Sequence, residues 1–319
     1  MVLTLILISG FVFLIKGADL LVDGASSLAR RLRVTDLVIG LTVVAFGTSA
    51  PELLINIVAS VRGKGGIVLG NILGSNTVNI LLILGLSAVI FPLLVSHSTV
   101  WKEIPLSLLA AVLVFVMAND RMIDQAAVSV LTRIDGIVLV TFFVIFLYYS
   151  MSIAQVSQEG TPLRRVPQLR LAQSILWVVL GLGALVLGGH LVVEGAIQLA
   201  RKLGLSELMI GLTIVAVGTS LPELATSTMA AWKKNPDIAV GNIVGSNIFN
   251  IFLILGISAI INPLPFNPEN NIDVVVTIMA SLILFLCMFT GRRQVIERWK
   301  GFLFIGIYIC YIIYLIGRG

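Results

Sequence analysis

The sequence predicts an all-α integral membrane protein of ten transmembrane helices, arranged as two inverted five-helix repeats. Three observations carry that expectation. Hydrophobic residues make up 58% of the 319 and charged residues only 12%, with a mean hydropathy of +1.07, more apolar surface than a soluble globule could hide. Gly17 to Leu93 recurs without a gap as Gly188 to Leu264, 171 positions later, with 41 of the 77 pairs identical. Each half also holds an odd number of apolar runs long enough to cross a bilayer.

Those runs fall near residues 2–28, 36–61, 67–91, 99–118 and 134–151, then near 172–199, 207–232, 238–261, 272–290 and 299–316. Residues 1–151 therefore form a first repeat, 152–170 a linker and 171–319 a second repeat. Five crossings leave the chain on the opposite face, so the second copy enters the membrane upside down, related to the first by a pseudo-two-fold axis in the membrane plane. Outside the runs, loops that follow odd-numbered spans carry thirteen Lys and Arg and the other loops seven. The positive-inside tendency makes the richer face cytoplasmic, places the linker there with Pro162 and Pro167, and leaves both termini outside a cell membrane.

Several classes are excluded early. The first run lacks a small-residue cleavage site and matches a run inside the second copy, so it reads as a retained span. The net charge of +5 is scattered over short loops with no basic tract, which argues against a nucleic-acid partner. Cys287 and Cys310 lie in separate late runs without ligand spacing and read as buried free thiols. The linker is too short for a regulatory domain; a monomer in the lipid bilayer is the expectation.

Chemistry concentrates in two doubled motifs. GLTVVAFGTSAPELL at Gly40 to Leu54 matches GLTIVAVGTSLPELA at Gly211 to Ala225, and GNILGSNTVNILLILG at Gly70 to Gly85 matches GNIVGSNIFNIFLILG at Gly241 to Gly256. In the second span Thr42, Ala45, Ser49 and Glu52 share a helical face, as Thr213, Ala216, Ser220 and Glu223 do in the seventh. Pro51 has no N–H for the carbonyl of Gly47, and Pro222 none for Gly218, so each helix is expected to break and bare carbonyl oxygens. Such backbone is tolerable at membrane depth only where it lines a cavity or binds something. Asn71, Ser75 and Asn79 add neutral oxygens on one face of the third span, matched by Asn242, Ser246 and Asn250 in the eighth. Two carboxylates with hydroxyls, amides and carbonyls, and neither thiolate nor imidazole, suit hard cations such as Ca²⁺ or Na⁺. An ionised Glu near the bilayer centre costs on the order of 3 kcal/mol or more. A cation removes that cost, and a site that must stay neutralised favours strict exchange over leak.

The paired GTSAPE and GTSLPE motifs, each followed by GNxxGSNxxN, resemble the two alpha-repeats of the sodium/calcium exchanger family. The resemblance covers about half of the chain. It implies antiport of Na⁺ against Ca²⁺ by alternating access, with the first and sixth helices sliding past a core of the other eight, and no cofactor or enzymatic step. It further implies that Glu52 and Glu223 bind Ca²⁺ and Na⁺ directly. Thr48, Thr219, Ala45 and Ala216 would then contribute oxygens, largely main-chain carbonyls. Ser49, Ser220, Ser75 and Ser246 would line flanking Na⁺ sites, with Asn79 and Asn250 completing the set. Some relatives carry Asp at one of those last two positions; here both are amides, leaving two formal charges in the site.

A cation/proton antiporter on the same architecture is the alternative. An intramembrane hydrolase is disfavoured, because the chain has neither HExxH nor GxSxG, and a passive channel would have to abandon strict exchange. Outside the motifs, Lys16, Asp19 and Asp23 share a face of the first span, with Glu194 matching Asp23 while Leu187 and His190 replace Lys16 and Asp19. A solvated or ion-paired helix end is the expected role for that face. Neither His97 nor His190 has a second His or Cys at ligand spacing. Gly10, Gly17 and Gly24, with Gly181, Gly188 and Gly195, recur every seven residues, as close helix packing or a smooth sliding face would require.

Overall fold

The computed structural model describes residues 2–156, 169–202 and 216–318. Within them the chain is helical nearly throughout. Helix α1 spans Val2–Leu32; α2 is bent, with α2a over Asp36–Thr48 and α2b over Ala50–Val61; α3 spans Gly65–Ile90, α4 Glu103–Met117 and α5 Arg133–Val156. In the second half α6 spans Leu171–Lys202. Of α7, the segments Ala216–Gly218 and α7b, Leu221–Trp232, are described. Then follow α8 (Pro236–Ile261), α9 (Asn271–Cys287) and α10 (Arg298–Arg318). Eight of these are long and apolar enough to cross a bilayer, α4 and α9 together with the short segments before them (His97–Met117 and Pro268–Cys287), and the bent pair α2a and α2b makes a ninth when taken as one span. Most of the linker, residues 157–168, and the first part of the seventh span, including Thr213, lie outside the described residues.

Helices α3 and α8 are the most buried spans and form the centre. Around them the halves interlock: α5 packs on α8, α10 on α3, and α9 on both α4 and α3. Two short antiparallel strand pairs tie the same exchange at the loops. Strand β1 (Leu93–Leu94) pairs with β4 (Val295–Ile296), and β2 (Val130–Leu131) with β3 (Leu264–Pro265). Each pair joins one half to the other. Cys287 is buried as expected, but Cys310 is exposed, because α10 lies on the outside of the bundle and turns that face outward.

The glycine stripes settle which of their two roles applies. Gly10 faces Gly188, Gly17 faces Gly181 and Gly24 faces Ser174, a register in which α1 and α6 run antiparallel with their backbones in contact. The small residues therefore fasten these two helices to each other instead of presenting a smooth face to the bundle. A Cβ on Gly181 would stand 2.7 Å from the amide nitrogen of Leu21 and 2.8 Å from the carbonyl oxygen of Gly17. Both are backbone atoms that cannot swing away. Gly181→Ala gains about 1 kcal/mol of helix propensity, but overpacking costs about 1–3 kcal/mol and here strikes two main-chain atoms. The thermal unfolding midpoint in detergent is expected to fall, whereas Gly306→Ala on α10, with nothing within 4 Å, should leave it unchanged or raise it.

Candidate cation site

The site is built where α2 and α7 break. Ser49 and Ser220 adopt nearly the same non-helical backbone, with φ −83° and ψ 4° against φ −87° and ψ 8°. The axes of α2a and α2b differ by 47°. Proline then occupies the start of each half-helix, as its fixed φ and missing N–H favour. Glu52 and Glu223 sit in the first turn that follows, so each carboxylate lies at the positive end of a half-helix ending inside the bundle. Both side chains are buried.

Each glutamate faces the break of the other half. The hydroxyl of Ser49 donates to Glu223 Oε1 at 3.0 Å, and that of Ser246 approaches the same oxygen at 3.5 Å. Thr48 also stands beside Glu223. In mirror image Thr219 and Ser220 stand beside Glu52, yet no well-formed hydrogen bond closes on either of its oxygens. The two carboxylates are near enough to repel one another. No basic side chain pairs with either among the described residues.

Helices α3 and α8 supply the walls through asparagines. Asn242 Oδ1 accepts from Thr48 at 3.0 Å while its amide donates to Ser227 at 2.9 Å. Asn71, its counterpart, accepts from Asn56 at 2.8 Å and donates to Thr219 at 3.3 Å. Each thus fastens a threonine of one break to the half-helix of the other. Deeper in, Asn76 and Asn247 reach across the pseudo-two-fold axis, each donating toward the other's main-chain carbonyl at 3.3 and 3.5 Å. Their side-chain oxygens accept from Asn250 and Asn79, both at 3.0 Å. This brace fixes two amides. With the NH₂ of Asn79 and Asn250 held, their Oδ1 atoms are left buried and without a partner.

The remaining oxygens in the cluster show the same pattern. Both carboxylate oxygens of Glu52, Oε2 of Glu223 and the hydroxyls of Ser75 and Ser220 are buried without a hydrogen-bond partner. Unpartnered buried polar atoms are rare and costly in native folds, and these are all hard oxygen donors. Ser75 and Ser220 can turn a lone pair to a cation as readily as a proton to an acceptor. Among the described residues no three of His, Cys, Asp and Glu gather into a metal-binding group, so two carboxylates and neutral oxygens are the whole inventory.

Seven of the twelve residues singled out in the sequence lie against one another at the glutamate pair: Glu52, Glu223, Thr48, Thr219, Ser49, Ser220 and Ser246; Ser75 is buried without a partner, and Asn79 and Asn250 are buried in the asparagine brace. The carbonyl of Ala45 already accepts from the Ser49 amide at 3.0 Å and the Thr48 hydroxyl at 3.3 Å. Ala216 begins the short segment before the second break, where only its backbone is described. Asn76, Asn247, Asn56 and Ser227 were not anticipated. The doubled GSN triplet held the signal for Asn76 and Asn247, which the i, i+4, i+8 reading passed over. Residues Val78–Leu84 and Phe249–Leu255 also run as π-helix, placing Asn79 and Asn250 on widened turns that no sequence pattern announces.

A family model described as Sodium/calcium exchanger protein matches residues 2–152 and 173–317. The chain belongs to the sodium/calcium exchanger family. It is 38% identical over 98% of both chains to the putative antiporter CaxA of Alkalimonas amylolytica. It is 36% identical to the sodium/calcium exchanger MaX1 of Methanosarcina acetivorans, over 98% of this chain and 97% of that one. The solved sodium-calcium exchanger NCX_Mj soaked with 10 mM Na⁺ and zero Ca²⁺ superimposes with a TM-score of 0.83 at 34% identity, covering 98% of each chain. Members of this family are membrane transporters, and the chain falls in the class of cation/Ca²⁺ antiporters.

In this exchanger the asparagine brace has a measurable consequence. Asn76→Leu removes the acceptor of the Asn250 amide and the donor to the Asn247 main-chain carbonyl, leaving one buried NH₂ group and one buried carbonyl without that partner, at about 1–3 kcal/mol each. A lowered thermal midpoint in detergent is expected, with Ca²⁺ raising it less than in the unaltered chain because the Asn250 amide is no longer held oxygen-first.

Proposed function

We propose that this exchanger moves Ca²⁺ across the cell membrane against Na⁺, through one site shared by both ions and opened alternately to either face. The observation that supports the reading is the facing pair Glu52 and Glu223, buried, mutually repelling and without a paired cation among the described residues. One Ca²⁺ neutralises two carboxylates at once, and Na⁺ ions can do so in its place. Glu52, Glu223, Asn79, Asn250, Ser75, Ser246, Ser49, Ser220, Thr48 and Thr219 supply the oxygens, joined by main-chain carbonyls at the breaks near Ala45 and Ala216. An emptied site leaves the repulsion unrelieved, so the site changes sides loaded. That is what separates exchange from leak.

The orientation that fits the loop charges has both termini outside and the segment around residues 152–170 in the cytoplasm. Residues 1–151 and 171–319 act as the two inverted halves. Solved structures of NCX_Mj were soaked with Na⁺, Ca²⁺ and Sr²⁺, and competition among these ions for one site is the behaviour proposed for this chain.

The test is Ca²⁺ uptake by liposomes holding the purified chain, loaded with Na⁺ and diluted into Na⁺-free medium. Rapid uptake that collapses when the Na⁺ gradient is abolished is expected. Uptake driven instead by a pH gradient without Na⁺ would replace Na⁺ by H⁺ as the coupling ion. Glu52→Gln should lower the rate about a hundredfold or more, since truncating one partner of a buried charged contact costs about 2–5 kcal/mol. The Ca²⁺-dependent rise in thermal midpoint should vanish with it.

A further inference from the structure

The site residues obey the pseudo-two-fold symmetry, but the helices around them do not. Helix α1 runs along α7b, whereas α6 leaves α2b bare. Leu54, Ile55 and Val58 of α2b are 65%, 41% and 47% exposed, while their counterparts Ala225, Thr226 and Met229 on α7b are partly or fully covered. A groove of about 760 Å³ separates α6 from α2 beside the break, with His190 on its wall. On the covered side, Lys233 at the end of α7b places its ammonium 2.6 Å from Asp19 and 2.8 Å from Asp23 of α1, and 2.9 Å from the Asp19 carbonyl. Only 12% of the lysine side chain is exposed, so this is a partly desolvated, charge-assisted contact and not a loose surface pair.

The repeat relation assigns every member of that contact a partner. Moving by 171 positions, Lys233 corresponds to Arg62 at the end of α2b, Asp23 to Glu194 and Asp19 to His190 on α6. Charge is kept at the two positions that matter most: a cation at the end of each half-helix and a carboxylate on each long helix. In the structure this second set is apart. Arg62 is exposed and makes no ion pair among the described residues, and Glu194 is exposed and accepts only from Gln198, at 3.1 Å.

Inverted repeats reach their opposite state by exchanging conformations between halves. We propose that the two ion-pair sets are alternate latches: Lys233 with Asp19 and Asp23 holds α1 on α7b in the state seen here, and Arg62 with Glu194 holds α6 on α2b in the opposite state. This rests on the alternating-access reading above. The latches are unequal. Lys233 grips two carboxylates, whereas Arg62 finds one and a histidine, so the conformation seen here is the favoured one.

The test uses the full chain in liposomes with Cys287→Ser and Cys310→Ser, whose Na⁺-driven Ca²⁺ uptake is measured first. No uptake by that parent overturns the antiport reading and this inference with it; uptake by the parent leaves the latches to be judged alone. A short bifunctional thiol reagent is then applied to two double variants. Lys233→Cys with Asp23→Cys should bridge at once and stop uptake. Arg62→Cys with Glu194→Cys should bridge slowly, and about tenfold faster once Lys233→Gln removes the first latch, the shift expected when a ligand to one state is lost. Bridging no faster than a control pairing Arg62→Cys with Leu199→Cys overturns the proposal. Charge exchange separates a latch from a folding defect. Arg62→Glu and Glu194→Arg should each slow uptake about tenfold, and together restore it to within about threefold. A double variant no better than either single one also overturns the proposal.

Discussion

Two carboxylates held in the centre of an apolar bundle, neither paired with a basic side chain among the described residues, are the constraint to which the rest of the structure answers. Desolvation and mutual repulsion act on the same pair, and neither can be relieved by water at that depth. Proline at Pro51 and Pro222 places each glutamate on the first turn of a half-helix, where the backbone dipole favours its charge. The serine and threonine before each proline turn toward the opposite glutamate, so neither half completes the site alone. Hydroxyls and amides soften the environment without adding charge. The net demand for positive charge is left to whatever enters, and this joins membrane stability to ion occupancy in a single site.

The asparagines show how orientation is secured where side chains would otherwise choose freely. An amide presents either an oxygen or an NH₂ group, and only the oxygen welcomes a cation. Asn76 and Asn247 remove the choice by accepting the NH₂ groups of Asn250 and Asn79 across the axis. Their own NH₂ groups go to main-chain carbonyls, so the brace is closed on itself. A partly satisfied network would be worse than apolar packing. Here the atoms left over are the Oδ1 atoms of Asn79 and Asn250, the ones proposed to face the ion, so two pairs of the same residue type divide the labour.

Much of this was legible beforehand, and what was not has physical reasons. Span count, inversion and the broken helices follow from composition, an exact 171-residue offset and proline chemistry, all of which act locally along the chain. Glu52, Glu223 and the hydroxyls around them stood out because such groups are expensive in apolar runs. Asn76 and Asn247 did not, since their role is to meet across an axis, and partners from two halves leave no periodicity. The π-turns at Val78–Leu84 and Phe249–Leu255 are likewise set by packing, in runs that read as ordinary helix. The glycine stripes were visible, but whether they faced each other or the bundle depended on docking of α1 against α6. Cys310 was misread as buried because hydropathy alone cannot tell a bundle interior from a lipid-facing surface.

The pattern of identity between the two copies itself separates what both states need from what one state needs. Five pairs at the site are the same in both halves: Thr48 and Thr219, Ser49 and Ser220, Glu52 and Glu223, Ser75 and Ser246, Asn79 and Asn250, whereas Asn56 and Ser227, which hold the asparagine walls, differ. On the alternating-access reading proposed above, a site seen from either side must look alike after the halves exchange conformations, which accounts for the match of these pairs in this chain. Residues that touch in only one state escape that demand. Arg62 against Lys233, Asp23 against Glu194 and Asp19 against His190 differ in kind or strength, and Leu54, Ile55 and Ile57 are large and apolar where Ala225, Thr226 and Thr228 are small or polar. In the latch proposal, divergence at these positions sets the relative stability of the two states without altering the site. An inverted duplication can therefore hold one ion-binding chemistry fixed while its two copies drift apart in how firmly each face is shut.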